Sequence, residues 1–166
     1  GGAAFLVLTR VLTARDAYSS IDWPVLILIA GMIALGNAME RTGALEIAAS
    51  YLHLVTGEWG RHAALWVFYF MAGALSLLIL NKPAAVLCAP LGIELADKLG
   101  CNHEPFIMAV AFAASTAMAT PMGYQTNLLV YGPGGYNYRD FVTFGLPLNI
   151  IVGVLACFLI PIIWPL

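Results

Sequence analysis

Two polar interruptions within apolar stretches contain the residues of this sequence that are best suited to binding chemistry. One is Asn81-Lys82-Pro83, and the other is the octet at residues 120–127. A helix that ends inside a membrane leaves its last carbonyls free to coordinate a cation, and the amides that begin the next helix can hold an anion. Neighbouring helices could satisfy one ordinary proline kink, but two polar breaks in one short chain favour a binding site.

The first interruption offers oxygen ligands and one charge. We expect the carbonyls of residues 76–79 to end one helix, Asn81 to cap the next helix or contact a cation, and Pro83 to take the first helical position. Lys82 has two open interpretations. Its ammonium attracts an anion or replaces a bound cation, or the break lies near the interface and the side chain extends to water. An ammonium at the centre of a membrane helix costs about 2.5–3.5 kcal/mol, so the first interpretation implies a function.

The second interruption combines backbone freedom with side-chain oxygens. Gly123 allows a non-helical backbone with an exposed carbonyl, and Thr126 and Asn127 are placed to cap a short helix that follows.

Other kinds of chemistry find little support in the sequence. There is no Ser-His-Asp set, paired carboxylate, phosphate-binding loop or metal-ligand spacing, and no basic stripe indicates nucleic acid. The cysteines show no paired spacing, and we expect them to serve in packing. The sequence therefore predicts a protein that is not an enzyme and carries no cofactor.

The composition indicates an integral membrane protein. Of the 166 residues, 61% are hydrophobic and only 10% are charged, whereas about 25% of the residues of soluble domains are charged. The charged residues cluster between apolar stretches long enough to enter a hydrocarbon core about 30 Å thick. The chain opens within the apolar run GGAAFLVL, so we expect it to be a piece of a longer protein.

The apolar stretches divide the chain into six predicted elements. These are the end of a transmembrane helix at 1–13, a transmembrane helix at 22–39, an interfacial helix at 43–56, two helical arms at 62–98 that meet near 80–83, a helix at 105–131 broken at 120–127, and a last transmembrane helix at 141–165. The break near Pro83 allows either a kinked span or a re-entrant hairpin whose tip lies inside the membrane.

Three segments together resemble a known family. The run AASTAMATPMGYQTNLLVYGPGGYNYRDFVTFGLPLNI, with IDWPVLILIAGMIALGNAMERTGALEIAA and NKPAAVLCAP before it, resembles the C-terminal half of divalent anion/sodium symporters, nearest to the branch with TrkA-C domains. The resemblance covers nearly the whole chain. It implies an all-α integral membrane fold, namely one inverted-topology repeat with a re-entrant helical hairpin and a discontinuous transmembrane helix.

The resemblance also assigns site residues. It implies sodium ligands at Ser76, Ile79, Asn81 and Gly123, and substrate contacts at Asn81, Tyr124 and Gln125. We also expect Lys82 and Thr126 to contact the substrate. The family's hairpin tip is Ser-Asn-Thr or a variant such as Asn-Asn, whereas this chain has Leu80-Asn81-Lys82. Because both hydroxyls are lost, we hypothesise that Lys82 partly replaces a sodium ion or binds the anion directly.

The function implied is sodium-coupled symport of a divalent anion, sulfate or a dicarboxylate, by a multi-pass protein of the cytoplasmic (inner) membrane. The implied partners are the anion, sodium, the lipid bilayer, a missing N-terminal repeat of the same transporter and a second copy in a homodimer. The alternatives are a sodium-independent anion exchanger and a membrane module that does not transport.

Overall fold

The structure is a computed structural model that describes residues 23–56 and 59–166, together with Thr13, Arg15 and Ser19. Every regular element in the described ranges is helical. The helices are α1 (Trp23–Arg41), α2 (Ala44–Thr56), α3 (Gly60–Leu78), α4 (Asn81–Leu99), α5 (Glu104–Ser115), α6 (Gln125–Tyr131) and α7 (Tyr138–Ile163). The helix end predicted at 1–13 lies, except for Thr13, outside the described residues.

The core lies where α3, α4, α5 and α7 meet. Phe68 of α3 and Phe106 of α5 are fully buried, with ring centroids 5.7 Å apart. Gly92 of α4 packs so closely on the Phe68 ring that an added Cβ would lie 2.9 Å from it. Small residues let the backbones approach in this way, and α5 contributes the buried alanines Ala109, Ala113 and Ala114.

The turn between α4 and α5 is fixed by local hydrogen bonds. Gly100 has a left-handed backbone (φ 59°) and its amide bonds to the Asp97 carbonyl at 3.1 Å, while the Cys101 amide bonds to the Ala96 carbonyl at 3.1 Å. This pair of bonds is a Schellman motif, which ends α4. The chain reverses there, and α5 packs back against α3 and α4.

Helix α7 contains a π-helical segment, Phe141–Gly145, followed by Leu146–Ile163 in α-helical form. Pro147 cannot donate to the carbonyl one turn earlier, and the wider π turn makes room for its ring. The predicted start of this helix at residue 141 is wrong, because the helix begins one short turn earlier, with Tyr138–Asp140. Asn137 and Asp140 form a capping box at this start.

Within the described ranges, α3 and α7 are the two helices long and apolar enough to cross a membrane by length and composition. Large apolar side chains on α7 are exposed, among them Phe144 (77%) and Ile162 (74%). An exposed surface of this kind suits contact with lipid or with other membrane helices.

Candidate functional site

The candidate site is formed by two helix breaks that lie side by side. The first break is Ile79-Leu80 between α3 and α4, and the second is the segment 116–124 between α5 and α6, called the unwound segment below. Two hydrogen bonds join them: Ser76 Oγ donates to the Ala114 carbonyl at 3.0 Å, and Thr120 Oγ1 donates to the Leu77 carbonyl at 3.0 Å. The sequence predicted both breaks, and these bonds place them together.

The end of α3 presents backbone oxygens at the first break. Intrahelical bonds leave the last four carbonyls of a helix without partners. Here the Leu75 carbonyl accepts from the Ile79 amide at 3.0 Å, and the Leu77 carbonyl accepts from Thr120. No donor in the described ranges bonds to the carbonyls of Ser76 and Leu78. These two oxygens therefore stay available to a cation.

Ser76 and Asn81 play different structural parts at this break. Ser76 is completely buried, and its hydroxyl bonds to the last turn of α5, directly before the second break. Helix α4 begins at Asn81, whose Oδ1 accepts from the Lys82 amide at 3.0 Å. The expectation that Pro83 takes the first helical position is wrong, because it is the third residue of α4. A proline is tolerated there because the amides of the first turn have no intrahelical acceptor.

Lys82 is an exposed cation without a protein counter-ion in the described ranges. It differs from Lys98, whose ammonium lies 3.8 Å from Glu46 and 3.9 Å from Glu94. No described carboxylate lies within ion-pair distance of Lys82, so its charge is free to interact with an anion or with water.

The second break lies earlier in the chain than the residues 120–127 that the sequence predicted. Helix α5 ends at Ser115, and α6 begins at Gln125. Thr116 ends α5 by donating through Oγ1 to the Ala113 carbonyl at 3.2 Å. The predicted caps are wrong, since Thr126 and Asn127 lie within α6 and Tyr124 precedes it without a side-chain cap bond.

Asn127 stabilises the unwound segment instead of capping α6. Its amide nitrogen donates to the carbonyls of Ala117 and Thr120, both at 3.2 Å. Thr120 Oγ1 also accepts from the Gly123 amide at 3.1 Å. Gly123 is buried, and an added Cβ would lie 2.8 Å from Ala117 Cβ, so only glycine fits this close turn.

The predicted site residues therefore fall into two groups. Ser76, Ile79 and Gly123 lie at or next to the paired breaks, and Thr120 joins the Leu77 carbonyl of the first to the Gly123 amide of the second. Tyr124 and Thr126 are exposed beside them, and their side chains make no hydrogen bond to a described residue. The Asn81 side chain bonds only to its neighbour. Among the described side chains, no group of three histidine, cysteine or carboxylate residues could hold a metal ion.

Two residues of α7 that were not predicted as site residues also contact the unwound segment. Asn149 Oδ1 accepts from the Met118 amide at 3.2 Å, and Gly145 lies against the Met118 carbonyl. A signal for Asn149 was present, because it is the one amide side chain between residues 141 and 163, in a stretch that is otherwise strongly apolar.

Comparisons with known proteins give a consistent result. The sequence model of a family described as "CitMHS: Citrate transporter" matches residues 1–165. An uncharacterized transporter of Synechocystis is 37% identical over 163 residues, which are 98% of this chain and 27% of that protein. The uncharacterized transporter YfbS of Escherichia coli is 39% identical over 156 residues, which are 94% of this chain and 26% of that protein.

A relative with a named cargo is more distant. Sodium/sulfate cotransporter 1 of Chlamydomonas reinhardtii is 31% identical over 159 residues, 95% of this chain and 18% of that protein. The chain thus spans about a quarter of the length of the two bacterial relatives.

Proposed function

Because the chain belongs to the citrate transporter family CitMHS, we propose that it forms part of a secondary active transporter in which sodium symport drives uptake of a divalent anion, sulfate or a dicarboxylate. It is a transporter segment and not an enzyme, as the family and the names of its relatives state. It resembles the permeases of the divalent anion/sodium symporter group. The closer affinity to the branch with TrkA-C domains stays a prediction.

The observation that carries the proposal is the pairing of the two helix breaks. A transporter needs a polar site in the middle of a membrane protein, and interrupted helices supply one without exposing backbone groups to lipid. Here Thr120 and Ser76 join the breaks by hydrogen bonds of 3.0 Å each. An isolated proline kink would not need two side chains to fix it against a second interrupted helix.

Sodium is a hard cation that suits neutral oxygen ligands such as backbone carbonyls and amide side chains. The first break offers the carbonyls of Ser76 and Ile79 and the Asn81 side chain, and the second offers the Gly123 carbonyl. These are the four sodium ligands that the resemblance implies. The bonds of Thr120 to the Leu77 carbonyl and from the Gly123 amide hold the two breaks together, which supports one shared sodium site. Coordination of sodium by the four residues is part of the proposal.

The anion would lie on the α4 side of the same breaks. Lys82, which is exposed and has no counter-ion among the described residues, supplies positive potential together with the first amides of α4. Tyr124, Gln125 and Thr126 border the same region in sequence. The sodium/sulfate cotransporters of Chlamydomonas support sulfate as the first anion to test. The family's citrate description and the symporter resemblance support carboxylates as the next ones. The remaining contacts would come from the N-terminal repeat, which together with a homodimer stays a prediction.

Uptake measurements on the full-length protein in proteoliposomes test the proposal. Labelled sulfate, succinate and citrate are offered with an inward sodium gradient and with potassium in its place. We expect sodium-dependent uptake of sulfate or succinate. Uptake that ignores sodium and needs an anion on the other side would establish an exchanger, which the unusual tip Leu80-Asn81-Lys82 would suit. Uptake of none of the three anions would contradict the proposal.

A further inference from the structure

We infer that Asn149 of α7 is a positioning residue, which holds the unwound segment at Met118 and thereby fixes the Thr120–Gly123 turn beside the end of α3. The inference rests on the proposed function for its consequence in transport. It extends that function to a helix outside the two breaks.

The hydrogen bond between Asn149 and Met118 joins a polar side chain of an apolar helix to a distant backbone amide. Asn149 lies within an apolar helix, where a polar side chain is costly unless it has a partner. Its partner is the amide of Met118, 31 residues earlier, with Oδ1 accepting at 3.2 Å. The same amide lies 2.8 Å from the Thr116 carbonyl in a tight turn, and Asn149 supplies its long-range partner.

A second contact holds the carbonyl side of the same residue. An added Cβ at Gly145 would lie 2.2 Å from the Met118 carbonyl oxygen and 2.7 Å from Ala119 Cα. Gly145 ends the π-helical segment Phe141–Gly145, one turn before Asn149. Such π segments are frequent at functional sites, and this one brings a glycine against the loop backbone.

Helix α7 holds the Met118 backbone by two contacts, the hydrogen bond to Asn149 Oδ1 and the close approach of Gly145. Asn149 also lines a cavity of about 140 Å³ together with Thr116, Tyr69 and Leu77. Two residues later, Thr120 bonds to the Leu77 carbonyl and to the Gly123 amide. Asn149 therefore controls the geometry of the paired breaks without contacting a ligand.

The first test is hydrogen–deuterium exchange of the full-length protein, measured on peptides that cover residues 116–124. Asn149→Leu removes the acceptor, whereas Asn149→Asp keeps an oxygen acceptor of the same reach. Thr143→Val is the matched control, because Thr143 is exposed on the same helix and bonds to no other described residue by its side chain. We expect exchange in this segment to become about 5-fold faster in Asn149→Leu only. Unchanged exchange in Asn149→Leu would overturn the inference.

The second test is sulfate uptake by the same variants in proteoliposomes. We expect the half-saturation concentrations for sulfate and sodium to rise about 5-fold in Asn149→Leu, with the maximal rate less affected and the rise largely reversed in Asn149→Asp. Equal losses in both Asn149 variants, with equal losses of thermal stability, would indicate a merely structural role and overturn the inference. If the unchanged protein takes up none of sulfate, succinate and citrate while exchange responds as expected, the proposed function fails and the positioning role stands.

Discussion

Replacing Thr120 by valine should weaken anion and sodium binding together, because Thr120 is the side chain that joins the two helix breaks. The valine side chain has nearly the same shape but lacks the hydroxyl. The change removes the bond to the Leu77 carbonyl at 3.0 Å and the bond from the Gly123 amide at 3.1 Å.

The size of the effect follows from these two bonds. A neutral hydrogen bond contributes about 0.5–1.5 kcal/mol net, so the pair contributes about 2 kcal/mol. If the loosened segment must be reordered whenever ligands bind, the binding free energy becomes less favourable by this whole amount of about 2 kcal/mol. Since about 1.4 kcal/mol is a factor of ten, the half-saturation concentration for sulfate should rise up to about 30-fold.

Two variants serve as controls in the same uptake assay in proteoliposomes. Thr120→Ser retains the hydroxyl and should stay within about 3-fold of the unchanged protein. Ser115→Ala removes a hydroxyl that bonds only within α5, to the Ala111 carbonyl at 2.7 Å, and should change the half-saturation concentration little. Unchanged affinity in Thr120→Val, or an equal loss in Thr120→Ser, would refute the role assigned to the hydroxyl.

Three further substitutions test the same account. Lys82→Ala should abolish uptake of the anion, because it removes a cation beside the first break that no described carboxylate neutralises; uptake that persists with an unchanged sodium requirement would rule out the Lys82 hypothesis. Ser76→Ala should lower the free energy of unfolding by about 1–3 kcal/mol, since it leaves the buried Ala114 carbonyl without its partner at 3.0 Å, and a melting temperature equal to that of the unchanged protein would contradict this. Gly145→Ala should lower the melting temperature and slow uptake, because its Cβ would lie 2.2 Å from the Met118 carbonyl oxygen; normal values for both would show that α7 can shift freely.

The helix boundaries show how much of the fold can be predicted from composition and from the positions of the prolines. The arms predicted at 62–98 are found as Gly60–Leu78 and Asn81–Leu99, and the helix predicted at 43–56 is found as Ala44–Thr56. Pro83 and the polar pair before it indicated a break in this region, but the expected loss of helix at Lys82 is wrong. The break is Ile79-Leu80, and Lys82 lies in the first turn of α4, where Pro83 is tolerated. The re-entrant placement of this hairpin in a membrane stays a prediction.

The second break was located less well for a physical reason. The polar character of residues 120–127 predicted a loop. Asn127 is in fact helical, and its side chain donates hydrogen bonds to carbonyls of the segment before it. The apolar residues Ala117, Met118 and Ala119 look helical by composition. They are non-helical because Thr116 ends α5 and contacts from α7 hold Met118. Tertiary contacts of this kind leave no local signal.

The hydrogen-bond partners of the site residues could not be predicted from the sequence either. Ser76 was expected to supply a backbone carbonyl, and the structure adds that its buried hydroxyl bonds to α5. The roles of Thr120 and Asn149 depend on residues 43 and 31 positions away. No periodicity within one helix could have paired them.

Equilibrium binding of labelled sulfate to the purified full-length protein, measured with and without sodium, tests the central claim most directly. The paired breaks are proposed to hold sodium and the anion in one site, so sodium should tighten sulfate binding at least about 5-fold, and Thr120→Val should remove most of that coupling. Sulfate binding that is equally tight in sodium and in potassium, and unaffected by Thr120→Val, would contradict the account.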